Sequence, residues 1–255
     1  MKSMTFLNHK RPLLTAMVQA DNPERILELS SRATEGGAEA LGMQFCRLKP
    51  EYRNREVYER LFSSVAPLPV YVTNYRAGEN KLLEKSDEVL AEELLELAEC
   101  GATLCDVMGD MFDCQDDELA RDERAIERQM RLIDELHARG AEVLMSSHVL
   151  RFTPAERVLE IALEQERRGA DICKIVTGAR DMAEQIENLR IVDLLKNNLR
   201  IPFLFLAGGE CRILRRIGGE LGCCMYLCVV EHDALATKSQ PLLSDVKTIR
   251  ELMCK

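Results

Sequence analysis

The chain has no apolar run long enough to cross a membrane. Its longest, such as Ile201 to Ala207, stop far short of the roughly 20 residues that a spanning helix requires. Met1 to Pro12 carries basic residues without an apolar core or a small-residue cleavage site, so no secretory signal is expected and the cytoplasm is the expected compartment. Basic charge is scarce as well: 34 Lys and Arg against 43 Asp and Glu leave a net charge of −9. No counterion-releasing stripe is available, which argues against a nucleic-acid partner while leaving room for a local cationic pocket that takes a small acid. The motif C-x-x-C is absent, and His9, His137, His148 and His232 do not combine with the ten cysteines at zinc spacings. The cysteines read as reduced thiols, and no metal is expected. No Gly-x-Gly-x-x-Gly follows the first strand-like segment, so a nucleotide-binding open sheet has no support. Without a linker or a break in composition, residues 1–255 read as one domain.

What is present is a cadence. "Gly-Ala then apolar" opens segments at Gly37, Gly101, Gly140 and Gly169, each after a charged, helix-like stretch. That pattern fits helices ending at a glycine and turning into buried parallel strands. Eight strands follow from it: Leu13 to Gln19, Ala40 to Cys46, Pro69 to Tyr75, Thr103 to Met108, Glu142 to His148, Ile172 to Gly178, Pro202 to Gly208 and Cys223 to Val229. Most are continuous apolar runs, as expected of strands buried on both faces. Between them, Asn22-Pro23 starts a helix and Thr153-Pro154-Ala155-Glu156 reads as a capping box, with Leu159, Ala162 and Leu163 on one face behind it. Leu90, Leu94, Leu97 and Ala98 form another stripe, with Glu92, Glu93 and Glu96 toward water. The acidic run Asp113 to Asp117 reads as the start of a long charged helix. With 255 residues, the expected fold is a single (β/α)8 TIM barrel of the α/β class; a doubly wound sheet is the alternative.

In such a barrel the chemistry sits at the C-terminal ends of the strands. Lys174 lies within Ile-Cys-Lys-Ile-Val, where a buried amine is costly unless neutralised or paired. Burial favours the free amine, the form that attacks a ketone to give a Schiff base. The plainer readings are a solvent-facing edge position or a buried ion pair. His148 ends the preceding strand, and two-residue alternation puts it on the same face as Ser146, beside Ile172, Lys174 and Val176. It suits proton removal and return. Arg215 and Arg216 follow the seventh strand and suit a carboxylate, while Gly208-Gly209 suits a phosphate. Cys46 reads as pocket-lining through its strand position, and His232 as touching ligand or solvent.

Ser146-Ser147-His148, then Thr153-Pro154, then Gly169 to Ile175 with Lys174, fall in an order and spacing that resembles the type I 3-dehydroquinate dehydratases. Weaker similarity runs from Leu13 to the last helix. The resemblance implies a dehydratase with Lys174 as the imine-forming residue, His148 as the base and Glu79 as the glutamate that orients it. It further implies Arg215 on the substrate carboxylate, Gln240 on a closing loop, no cofactor and a homodimer. The chain departs from the family where Glu-x-Arg-x-Asp is replaced by Gly42, Gln44 and Cys46. It departs again at the third-strand arginine, which is Tyr75 with Arg76 one residue on and able to serve after a one-residue slip, at a serine that is Ala236, and at an aspartate that is Val149. By position the resemblance still implies Gln44, Tyr75, Arg76 and Ala236 as substrate-binding residues. The losses fall on hydroxyl-binding positions. The implied substrate is therefore a cyclic β-hydroxy ketone carboxylate, 3-dehydroquinate or a less hydroxylated analogue. An aldolase acting on a phosphorylated keto sugar through Gly208-Gly209, or a barrel that binds without turnover, are the other readings.

Overall fold

The computed structural model describes residues 5–7 and 9–253. Eight parallel strands run in the order β7-β6-β5-β4-β3-β2-β1-β8. They are β1 (Leu13–Val18), β2 (Ala40–Gln44), β3 (Val70–Thr73), β4 (Leu104–Met108), β5 (Glu142–His148), β6 (Ile172–Thr177), β7 (Phe203–Ala207) and β8 (Met225–Cys228). From β1 to β7 each strand pairs with the next in sequence, and β8 returns to β1. The seam between β7 and β8 is bridged where the Cys224 amide donates to the Phe203 carbonyl at 2.9 Å. A doubly wound sheet would reverse its order at a switch point; this one does not, and it nearly closes on itself.

The helices lie between the strands: α1 (Pro23–Glu35), α2 (Arg55–Val65), α3 (Glu79–Leu82), α4 (Asp87–Glu99), α5 (Glu123–Ala138), α6 (Ala155–Arg167), α7 (Met182–Asn198), α8 (Leu214–Leu221) and α9 (Leu243–Met253). The glycine cadence has a backbone cause. Gly37, Gly101, Gly140 and Gly169 adopt φ of 91, 116, 81 and 99°, the left-handed turn that ends a helix and sends the chain into the next strand. Asn22 caps α1 through the Arg25 amide at 2.9 Å.

Three expectations are corrected. Pro154 has ψ 151° and lies outside α6, and the Thr153 hydroxyl donates to the Arg151 carbonyl, so no capping box forms. The buried face of α6 is Val158, Ile161, Ala162 and Gln165, while Leu163 is exposed. The acidic run does not begin a helix, which starts only at Glu123. Asp113 instead accepts from the Arg121 and Asp122 amides, and Asp117 pairs with Arg121 and Arg157, so the charges fold a loop. On α4, Glu93 turns from water to accept from Asn74 and Lys85. Among the described residues no helix is long and apolar enough to cross a membrane.

Registry stacks the inner face in layers. Ser146 pairs with Lys174 and His148 with Val176, so the imidazole rises one layer above the amine. Gly42 lets Met17 fill the barrel, since a Cβ there would lie 2.1 Å from the Met17 sulfur. β2 ends at Gln44, and a 3-10 turn over Phe45–Arg47 takes Cys46 out of the alternation and away from the cavity.

Candidate active site

The mouth of the barrel opens into a cavity of about 370 Å3. Met17, Met108, Leu150, Val176, Leu206 and Leu227 give it apolar walls; Lys174, His148, Tyr75, Arg215 and Gln240 supply its polar groups.

Lys174 is 4% exposed and is not a lone amine in an apolar strand. Its Nζ donates to Asp106 Oδ2 at 3.1 Å, to the Tyr75 hydroxyl at 2.6 Å and to the Tyr71 hydroxyl at 3.0 Å. The buried ion pair is therefore realised, inside the cavity rather than apart from it. Asp106 also accepts from Ser146 Oγ and the Tyr75 hydroxyl, each at 2.5 Å, and from the Tyr71 hydroxyl. Burial pushes its carboxyl upward, but the charges of Lys174 and His148 and the hydroxyls of Ser146 and Tyr71 outweigh that and hold it below the ordinary range.

His148 Nδ1 donates to Glu118 Oε2 at 2.9 Å, and its backbone amide donates to the same oxygen at 2.6 Å. With Nδ1 engaged, Nε2 is the nitrogen left for substrate. Glu79, expected to orient this ring, lies on α3 outside the cavity. The carboxylate comes instead from the β4–α5 loop, because that loop folds over the end of β5. Glu118 has φ +47°, its carbonyl accepts from Ser147 Oγ at 2.7 Å, and an added Cβ on Gly109 would sit 2.5 Å from that carbonyl. Two arginines clamp the loop. Arg168 donates to the Gly109 and Ala120 carbonyls, and Arg76 donates to Asp110 and, through two nitrogens, to Asp87.

That commitment corrects the reading of Arg76 as a substrate ligand: it lines the cavity, yet its guanidinium is spent holding the loop. Removing the Glu118 carboxylate (Glu118→Ala) is expected to lower kcat by about 100-fold with little change in KM, within the range that acid–base catalysis contributes. Steady-state kinetics beside a thermal melt reads this. Gly109→Ala, which crowds the Glu118 carbonyl, is expected to cost about 1–3 kcal/mol in urea unfolding, as overpacking does.

On the opposite side, Arg215 lies in the first turn of α8 at 7% exposure. Its Nε donates to the Ala207 carbonyl at 3.0 Å, and among the described residues no carboxylate pairs with it. Burial pushes its pKa down to about 10. Among the described residues the buried Gln240 amide oxygen has no partner, nor has the buried Thr73 hydroxyl, and both residues line the cavity. An unpaired cation and orphaned polar atoms are what a bound carboxylate and a further polar group satisfy. Gln44 also lines the wall. Ala236 does not; Thr237, held by Gln19, and Ser239 bring hydroxyls there instead. His232 does not line this cavity, and its Nε2 binds the Gln240 carbonyl at 2.8 Å, latching the loop that carries Gln240. At Gly208-Gly209 the Gly208 and Glu210 amides are already spent on the Thr177 and Ala179 carbonyls, and neither glycine lines the cavity that holds Lys174.

Among known proteins, the family model described as type I 3-dehydroquinase matches residues 16–253. A 3-dehydroquinate dehydratase from Alkaliphilus oremlandii is 34% identical over 43% of this chain and 43% of its own length, so that match spans less than half of either protein. One from Listeria monocytogenes is 25% identical over 72% of this chain and 68% of its own. The crystal structure of a type I 3-dehydroquinate dehydratase from Clostridium difficile with covalently modified comenic acid superposes with a TM-score of 0.79. It covers 96% of this chain and 93% of that one at 15% identity, a likeness of fold.

Proposed function

The chain belongs to the type I 3-dehydroquinase family, and from that premise we propose that its cavity is the site of an imine-forming dehydratase, a carbon–oxygen lyase. The observation that carries this reading is the convergence of a buried amine, an oriented imidazole and an unpaired guanidinium on one small cavity. Lys174 condenses with the ketone of a cyclic β-hydroxy ketone carboxylate, and the protonated imine draws electrons from the neighbouring carbon. His148 takes the proton from that carbon and returns one to the departing hydroxyl. Arg215 and Gln240 hold the carboxylate.

The wall that would meet ring hydroxyls is Met17 over Gly42, with Gln44 and Thr73 beside it. This favours a substrate with fewer hydroxyls than 3-dehydroquinate, because missing hydrogen-bond partners cost up to about 10⁴ in discrimination. We place the reaction in the cytoplasm, in keeping with nine free cysteines among the described residues, and in a homodimer.

The test adds borohydride to the protein with 3-dehydroquinate or with comenic acid, and follows 3-dehydroquinate alone by the ultraviolet absorbance of the conjugated enone. A mass adduct on Lys174 is the expected outcome. Its absence with both ligands overturns the imine.

A further inference from the structure

Lys174 Nζ has as many hydrogen-bond partners as an ammonium has protons: the Tyr71 and Tyr75 hydroxyls and Asp106. Tyr71 and Asp106 are at most 1% exposed and lie behind the amine. Of these partners Tyr75 lines the cavity, so a ketone approaching Nζ meets this hydroxyl first. Tyr75 also donates to Asp106 at 2.5 Å, and its ring stands edge-on to His148, 5.1 Å between centroids at 78°. Burial, helped by the Asp106 charge, raises the phenol well above the ordinary tyrosine range, so it keeps its proton. A hydroxyl that keeps its proton while touching both donor and acceptor is suited to passing protons on rather than to storing them.

We propose that Tyr75 is a catalytic residue, the relay that carries protons from the Lys174 nitrogen to the carbonyl oxygen while the imine forms, leaving His148 for the carbon acid. The proposal rests on the imine reading above. Written from the ammonium, the step is charge-neutral: ammonium plus ketone gives protonated imine plus water. One N–H proton passes to the Tyr75 oxygen as the Tyr75 proton passes to the ketone oxygen. The freed nitrogen pair forms the N–C bond, and the carbonyl π pair becomes the new O–H bond. A second passage takes another proton from nitrogen to the hydroxyl; the C–O bond breaks, water leaves, and the nitrogen pair closes the C=N bond. Tyr75 ends as it began. Asp106 stays a carboxylate throughout, counter-ion first to the ammonium and then to the iminium.

The experiment follows the rate of borohydride-trappable adduct on Lys174 with comenic acid or 3-dehydroquinate, in the parent protein, Tyr75→Phe and Tyr71→Phe. Tyr75→Phe keeps the ring and its contact with His148, and is expected to slow adduct formation by about 100-fold or more, the scale of a lost acid–base group. Tyr71→Phe removes a hydroxyl from the far side of Nζ and is expected to slow it less. Adduct forming as fast in Tyr75→Phe as in the parent, or equal slowing by both variants, overturns the relay. No adduct in the parent overturns the imine reading instead. Heavy water covers a Tyr75→Phe protein that does not fold: slower capture by the parent in D2O supports the relay, and equal capture in both solvents overturns it.

Discussion

Lys174→Met is expected to abolish the borohydride adduct and to lower turnover on the order of 10⁶-fold, the scale seen when a covalent nucleophile is removed. The same substitution tests the architecture. It strands Asp106, a carboxylate 1% exposed, without the cation 3.1 Å away. Breaking one half of a buried pair costs about 3–5 kcal/mol, read as a lowered urea midpoint. Lys174→Met with Asp106→Asn removes both charges and is expected to recover most of that loss while staying inactive, which separates stability from chemistry.

Acid narrows the difference between parent and variant. The native pKa of Asp106 is lowered, so the stability it contributes is present above the ordinary carboxylate range and fades as pH falls through the native value. In Lys174→Met the strongest attraction holding that pKa down is gone and burial dominates. Protonating a carboxyl whose native pKa is raised favours the folded state, so the stability deficit of the variant shrinks as pH falls. Melting temperatures of parent and variant across pH 3 to 7 measure it; a deficit that stays constant with pH would mean that Asp106 does not depend on the lysine.

Arg215→Met is expected to act in opposite directions on binding and on stability. Nothing described neutralises this guanidinium, and burial pushes its pKa from the ordinary arginine value down to about 10. A base with a lowered native pKa binds its proton less readily folded than unfolded. Stability therefore rises with pH between those two values, and at neutral pH the charge carries a standing penalty. A displacement of that size corresponds to about 3 kcal/mol. Methionine keeps much of the side-chain volume and no charge, so the empty protein is expected to melt at higher temperature.

Ligand capture is expected to fail. Losing one partner of a buried, hydrogen-bonded charge pair costs about 2–5 kcal/mol, roughly 30- to 5,000-fold in affinity. Thermal shift with comenic acid reads both effects: the parent gains stability on adding ligand, and Arg215→Met starts higher and gains little. A variant that melts lower when empty would show that the arginine is a structural prop.

The strands were legible because each buried run is bounded by a helix-ending glycine, and Lys174 and His148 because a charge or an imidazole in such a run has few innocent explanations. Asp106, in Leu-Cys-Asp-Val-Met, carries the same mark. Its meaning emerges only with the neighbouring strands, where Tyr71, Ser146 and Lys174 converge on it. Glu118 carries no mark. It sits in an acidic, turn-rich stretch, and its role depends on a left-handed backbone angle and on a loop held by Arg76 and Arg168, distant in sequence. Glu79 is the expectation that the family resemblance carries. A carboxylate reaching His148 from the adjoining loop satisfies the same chemistry, and linear spacing does not distinguish the two.

An amine whose hydrogens are all engaged by neighbouring oxygens is guarded against casual electrophiles. Stray aldehydes, acyl phosphates and amine-directed reagents reach exposed lysines such as Lys81 readily, but at Lys174 they must first displace a hydroxyl. Labelling with an activated ester, followed by peptide mapping, is expected to leave Lys174 among the last lysines modified. Reactivity is then reserved for a visitor whose acid group is already seated, so the nucleophile is chemically private until the right guest arrives.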